Sequence, residues 1–216
     1  SDYFSAMPFN RLLDNDDGEF YAAIEATDPV DLTAIGELQN FYAPHLSDNM
    51  QILDLMAGFN SYLPADLKTN IVGLGVNEQE LKINTRLDSY QLHDLNKDPI
   101  LPFQDKQFDT VICSFAIEYM TQPFEVFKQV ARILKPGGTF CISFSDRYFK
   151  QKVVSIWDDV HPFERMGIVL EYFRQSYLFT HLVCESSRGK LRKEEDNFVN
   201  KTVYSCPMFM LKGTCI

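Results

Sequence analysis

No apolar run in this 216-residue chain approaches the roughly 18 residues that a membrane-spanning helix needs. Ser1-Asp2-Tyr3-Phe4 shows no basic start leading into an apolar stretch, so no secretory signal is visible. The chain does not open with Met, which leaves room for a trimmed leader and keeps the organelle open. Basic charge is scarce: 20 Lys and Arg stand against 30 Asp and Glu, a net charge of −10. Nucleic-acid surfaces usually carry a basic patch. The basic cluster here, Arg188 to Lys193, runs straight into Glu194-Glu195-Asp196 and reads as a solvated loop. Nucleic acid is therefore a disfavoured partner.

Cysteine is also sparse. The five residues form no C-x-x-C pair, and an odd number suits no closed disulfide framework. Cys113, Cys141 and Cys184 lie inside apolar runs, where cysteine acts as a small core residue. A reduced intracellular setting, most simply the cytoplasm, is expected. The four histidines are scattered without zinc-type spacing. The acidic stretch Asp14 to Gly18 lacks the downstream glutamate of a calcium loop and reads as a solvated turn, so no metal is expected. Internal repeats are absent.

What the chain does have is enough apolar material, 45% of residues, to bury a core. From residue 50 onward, short apolar runs alternate with amphipathic ones. Strands are expected at 51–55, 71–74, 89–93, 110–115, 139–144, 179–184 and 209–212. Such continuous runs suit strands buried on both faces of a parallel sheet. Phe124, Phe127, Ala131 and Leu134 recur at helical spacing, and Pro136-Gly137-Gly138 is expected to end that helix. His161-Pro162-Phe163 opens another, with Phe163, Met166, Leu170 and Phe173 as its apolar stripe. A shorter helix is expected around Val153, Ile156 and Val160. In the first 45 residues, Leu32, Ile35, Leu38 and Tyr42 suggest one helix facing the sheet. The expected architecture is a doubly wound α/β sheet with right-handed crossovers. Residues 50–216 form the domain, and residues 1–49 are a helical extension packed on it.

Ligands of open α/β sheets bind beyond the carboxyl ends of the strands. Ile52 to Asn60 is an apolar strand running into Asp54-Leu55-Met56-Ala57-Gly58. Ile71 to Glu78 is a second strand end. His93-Asp94-Leu95 is a third, followed by Leu101-Pro102-Phe103, Phe108-Asp109 and Leu134-Lys135-Pro136-Gly137-Gly138. In order and spacing this set, residues 50–145, resembles the class I methyltransferases, nearest to the small-molecule enzymes of ubiquinone and menaquinone biosynthesis. The resemblance implies a Rossmann-like, seven-stranded, mostly parallel sheet with one antiparallel strand. It also implies S-adenosylmethionine as cofactor, with Asp54, Met56, Ala57, Gly58, Gly75, Asn77, Asp94, Leu95 and Ser114 around it.

The glycine loop is depleted. Only Gly58 remains, and Met56 and Phe59 are large enough to fill part of the cleft. Asn60 is able to take the left-handed conformation that a glycine would supply. The family's second strand ends in an acidic residue for the ribose; Gly75 stands there, with Asn77 as a neutral substitute. Losing a charged hydrogen bond costs roughly 1.5–3 kcal/mol. Gly75→Asp is therefore expected to tighten binding, and Gly58→Val to abolish it. Asp109 reads as structural.

Methyl transfer asks mainly for positioning, because the sulfonium is already activated. A general base helps where the acceptor carries an acidic proton. Glu118, Tyr119 and His161 are the catalytic candidates, and Trp157 and Arg165 the acceptor-binding ones. Tyr119 and Trp157 also suit plain packing, and His161 a helix cap. Two functions fit: methyl transfer to a small-molecule acceptor, or a non-catalytic relative acting as a binding or scaffolding module.

Overall fold

A computed structural model describes Phe4, residues 7–196 and residues 202–216. Ser1-Asp2-Tyr3, part of the start read for a secretory signal, lies outside the described residues. Seven strands form one sheet: β1 (Gln51–Leu55), β2 (Asn70–Gly75), β3 (Ser89–Leu92), β4 (Phe108–Ser114), β5 (Leu134–Ser145), β6 (Phe179–Ser187) and β7 (Met208–Cys215). Their spatial order is β3-β2-β1-β4-β5-β7-β6. The pairs among β1 to β5 are parallel. β7 runs antiparallel to both β5 and β6, and is the one antiparallel strand that the resemblance implies.

Side chains of a strand alternate between its two faces, and two cores follow from that rule. Leu53, Leu55, Val111, Cys113, Phe140 and Ile142 face one core. Ile52, Ile112 and Cys141 face the other. Helices α4 (Pro123–Ile133), α5 (Ser155–Asp158) and α6 (Glu164–Ser176) contribute buried residues to the first core. Helix α2 (Leu32–Tyr42) covers the second with Ala34, Leu38, Phe41 and Tyr42. The short α1 (Asp17–Ala22) and α3 (Glu78–Ile83) lie beside the strand ends.

Several local expectations shift. The buried face of α4 centres on Val126, Phe127, Val130 and Ile133, rotated from the expected stripe, with Phe124 and Ala131 at its margin. The helix stops at Ile133, and Pro136-Gly137-Gly138 forms an irregular start to β5, where Gly137 takes φ +79°. Pro162 precedes α6 instead of sitting in its first turn, and Phe163 is exposed while Ile168, Val169 and Tyr172 are buried. β3 is exposed throughout because it is the sheet edge. Cys184, expected in the core, is exposed on the outer strand β6. Leu32 is 44% exposed at the start of α2.

Two stretches read as solvated are partly interior. Arg192 and Asp196 pair with each other at 3.0 Å and are buried, with Asp31 at 3.5 Å from the same guanidinium. Asp17 is also buried. It pairs with Arg11 at 2.8 Å and with the fully buried Lys152 at 2.6 Å. In both places a charge run supplies ion-pair partners for charges elsewhere in the fold. Spacing alone does not reveal that. Asp109 accepts from the Gln51 backbone N–H and from Lys135, tying β1 to β4 and β5.

Candidate cofactor and acceptor site

A cavity of about 440 Å³ opens beyond the carboxyl ends of β1, β2 and β4. The loop after β1 forms its floor. Met56 leaves the strand in a left-handed conformation, φ +57°, and the Ala57 N–H donates to the Leu74 carbonyl at 2.8 Å. That bond draws two backbones together, and a Cβ on Gly75 would collide with the Ala57 carbonyl oxygen. Gly75 is thus glycine for closeness of approach. Asn60 does not supply the left-handed residue; Met56 and Tyr62 do. Asn60 instead accepts from the Tyr62 N–H and donates to Asp28.

Beneath the loop, Asn84 donates to the Gly58 carbonyl at 2.9 Å and to Ser61 at 3.1 Å. Asp54 is buried there. Burial pushes its pKa up to about 7, and a bond to Ser61 opposes the rise. Above the loop, Glu80 reaches back from α3. A Cβ on Gly58 would lie 2.7 Å from Glu80 Oε2. Burial raises the Glu80 pKa, against bonds from Asn77 and the Phe59 N–H.

The far wall is aromatic. Tyr21, Tyr119 and Phe149 meet pairwise at 6.1–6.2 Å between ring centres. The Tyr119 hydroxyl accepts from the Phe149 N–H at 2.9 Å. Residues 24–29, just after α1, complete the rim. Asp17 anchors this N-terminal segment: besides its two cations, it accepts from Asn96, whose amide also donates to the Tyr119 carbonyl. Burial alone would raise the Asp17 pKa; the bonds from Lys152, Arg11 and Asn96 outweigh it and lower the value.

A family model described as a methyltransferase domain matches residues 53–142. The ubiquinone/menaquinone biosynthesis C-methyltransferase of Wigglesworthia glossinidia brevipalpis is 27% identical over 177 residues, 74% of this chain and 70% of the relative. The corresponding enzyme of Brucella anthropi is 33% identical over 99 residues, 44% of this chain and 36% of its own length. Among solved structures, phosphoethanolamine N-methyltransferase 2 of Haemonchus contortus with S-adenosyl-L-methionine superposes with a TM-score of 0.57 at 13% identity. That match covers 85% of this chain and 52% of the other. Several further curated relatives match over only 28% to 36% of their length. Residues 53–142 thus match the methyltransferase domain family, and the chain is similar to class I S-adenosylmethionine-dependent methyltransferases.

In this chain Met56, Ala57, Gly58, Gly75, Asn77, Asp94, Leu95 and Ser114 all line the one cavity, as do Glu118 and Tyr119. Asp54 lies outside its lining and supports the loop from below. His161 is exposed, outside the cavity, and its Nδ1 accepts from the Phe163 N–H at 3.3 Å, as a cap would. Trp157 is fully buried against Phe144, as a core residue. Arg165 is buried between the Tyr148 and Trp157 rings and donates to the Trp157 carbonyl. Tyr148 lines the cavity; Arg165 and Trp157 do not. Trp157 and Arg165 therefore stand behind Tyr148, outside the cavity they were expected to line.

Asn77 has no free amide to offer. Its oxygen caps α3 at the Gln79 and Glu80 N–H groups, and its nitrogen donates to the Tyr21 carbonyl and to Glu80. Sequence reasoning missed Glu80, although Asn77-x-x-Glu80 is a capping-box pattern that places a glutamate at the helix start. It also missed Tyr21, the 24–29 rim and Arg147 to Phe149. Those positions carry no motif.

Proposed function

We propose that this chain holds S-adenosylmethionine across the ends of β1, β2 and β3 and methylates a small-molecule acceptor in the same cavity. The observation that carries the reading is the open volume itself. Met56 and Phe59 line the cavity without filling it, and its size lies in the range of small-molecule sites. A non-catalytic scaffold has no need of that space.

The donor set fits the cofactor. Asp17, Glu25, Asp28, Glu80, Asp94 and Glu118 line the cavity against Arg147 as its one arginine or lysine among the described residues. An anionic lining suits a sulfonium cation. Glu80 takes the place that Gly75 leaves without a carboxylate: it stands over Gly58–Phe59 as an acceptor for sugar hydroxyls. Asp94 and Leu95 flank the base. When bound, the cofactor supplies a methyl group already activated on sulfur. The protein orients the acceptor against it and excludes water. The aromatic wall does the second task, and the Asp17 anchor holds the N-terminal rim in place. The described residues before β1 thus act as an extension packed on the domain and completing its site.

The test uses S-adenosylmethionine labelled on the methyl group, incubated with the protein and cell extract separated into small-molecule, protein and nucleic-acid fractions. Label is expected in the small-molecule fraction. Label in protein or nucleic acid, or in no fraction, contradicts the reading.

A further inference from the structure

Glu118 follows β4 in a short helical turn and lines the cavity while only 1% exposed. Its Oε2 has no hydrogen-bond partner among the described residues. An unpartnered buried carboxyl oxygen costs its full desolvation penalty unless a ligand meets it. The groups that face it electrostatically are Arg165, Tyr119, Tyr21 and Cys113. Of these only Arg165 is cationic; its guanidinium lies over the Tyr148 ring, donates from Nε to the Trp157 carbonyl and from Nη2 to the Tyr148 hydroxyl, and has Nη1 without a hydrogen-bond partner among the described residues. Tyr148 already bears that cation, whereas no cation among the described residues stacks on Tyr21, Tyr119 or Phe149. Their rings border the same cavity as Glu118.

Resting on the methyl-transfer reading above, we propose that the acceptor is a small amine, seated with its nitrogen on Glu118 and its body against the Tyr21–Tyr119–Phe149 wall. A carboxylate or phosphate acceptor would meet a lining of six acidic side chains and one guanidinium, which stays net negative even with Glu118 protonated and Asp17 paired to Arg11 and Lys152, and would be repelled. An ammonium gains from both the carboxylate and the ring faces. Burial first, opposed by Arg165, pushes the Glu118 pKa up to about 8. The carboxyl is therefore mostly protonated at neutral pH, and becomes ionised when a cation docks. For reaction, the ammonium N–H proton passes to Glu118 Oε2, which frees the nitrogen lone pair. That pair forms the N–CH3 bond to the cofactor's methyl carbon, and the C–S bond pair stays on sulfur. The products are a methylated ammonium and the neutral thioether S-adenosylhomocysteine.

The experiment titrates benzylamine, phenol and benzoate by calorimetry into the S-adenosylhomocysteine complex of the parent and of Glu118→Gln. Benzylamine is expected to bind in preference to the other two. Glu118→Gln should weaken it by at least about tenfold, as for a lost charged hydrogen bond, while leaving S-adenosylhomocysteine affinity and melting comparable. In buffers of different ionisation enthalpy, the parent should release close to one proton per benzylamine at neutral pH and the variant none. A preference for phenol or benzoate, or benzylamine binding indifferent to the substitution, overturns the proposal. So does a variant that loses affinity for S-adenosylmethionine but not for benzylamine, because Glu118 then faces the sulfonium. S-adenosylhomocysteine binding without benzylamine binding overturns this inference alone; no cofactor binding overturns it together with the reading beneath it.

Discussion

Asn77 Nδ2 donates to Glu80 Oε1 at 3.0 Å, while Asn77 Oδ1 accepts from the Glu80 N–H at 3.4 Å. This reciprocal pair starts α3 and fixes a carboxylate over the glycine loop. Glu80→Gln keeps the shape and removes the charge. Cofactor affinity should fall by roughly tenfold or more, the worth of an ionised acceptor. Gly58→Val should also weaken binding, because its side chain displaces Glu80 Oε2 from 2.7 Å. Combining the two should add little to either alone. Fully additive losses in a titration series would show that Gly58 touches the cofactor independently of Glu80.

Gly75→Asp, expected from sequence to tighten binding, should instead destabilise the fold. The Ala57 carbonyl occupies the space its Cβ needs, and backbone cannot swing aside as a side chain can. Gly75→Ala and Gly75→Asn should behave alike, each losing at least roughly 1–3 kcal/mol as overpacked sites do. Urea denaturation reads this directly. Parental midpoints for all three variants would contradict the close approach of the two strands.

Asp17→Asn should destabilise by about 3–5 kcal/mol, because it leaves the buried Lys152 without its counter-charge. The Asp17 pKa is lowered in the folded state. Its contribution is therefore present above the unfolded value and lost as pH falls through the folded one. The parent should thus lose more stability on acidification than Asp17→Asn does. Equal acid sensitivity would contradict the paired carboxylate.

Asp54 predicts the opposite slope. Its carboxyl titrates near 3.8 when unfolded and near about 7 when folded. Between those values the unfolded chain has released a proton that the native state retains, so stability falls as pH rises, by about 1.4 kcal/mol per pH unit for one proton. Above the folded value the slope from this group vanishes. Asp54→Asn should flatten the decline in thermal melts taken across that window. An unchanged profile would mean that Asp54 is ionised in the native protein.

The sheet was legible because its strands are continuous apolar runs. Gln51–Leu55 was read to the residue, and the one antiparallel strand followed from the family resemblance. Helix faces were less so: in α4 the dense apolar content allowed two overlapping stripes, and only packing against Phe140 and Phe173 selects one. Within the site, strand-end positions were readable because chain order fixes where strands end. Arg165 and Trp157 were not, since residues after β5 can line a cavity or back it with the same composition. Charges were the hardest. Nothing local to Asp17 announces Lys152, which is brought to it from 135 residues away.

Calorimetric titration of the parent protein with S-adenosylmethionine and S-adenosylhomocysteine tests the central claim most directly. The account predicts saturable binding of both at one site per chain, with a matching rise in melting temperature. A folded protein that gives neither heat nor a thermal shift with either compound would contradict it.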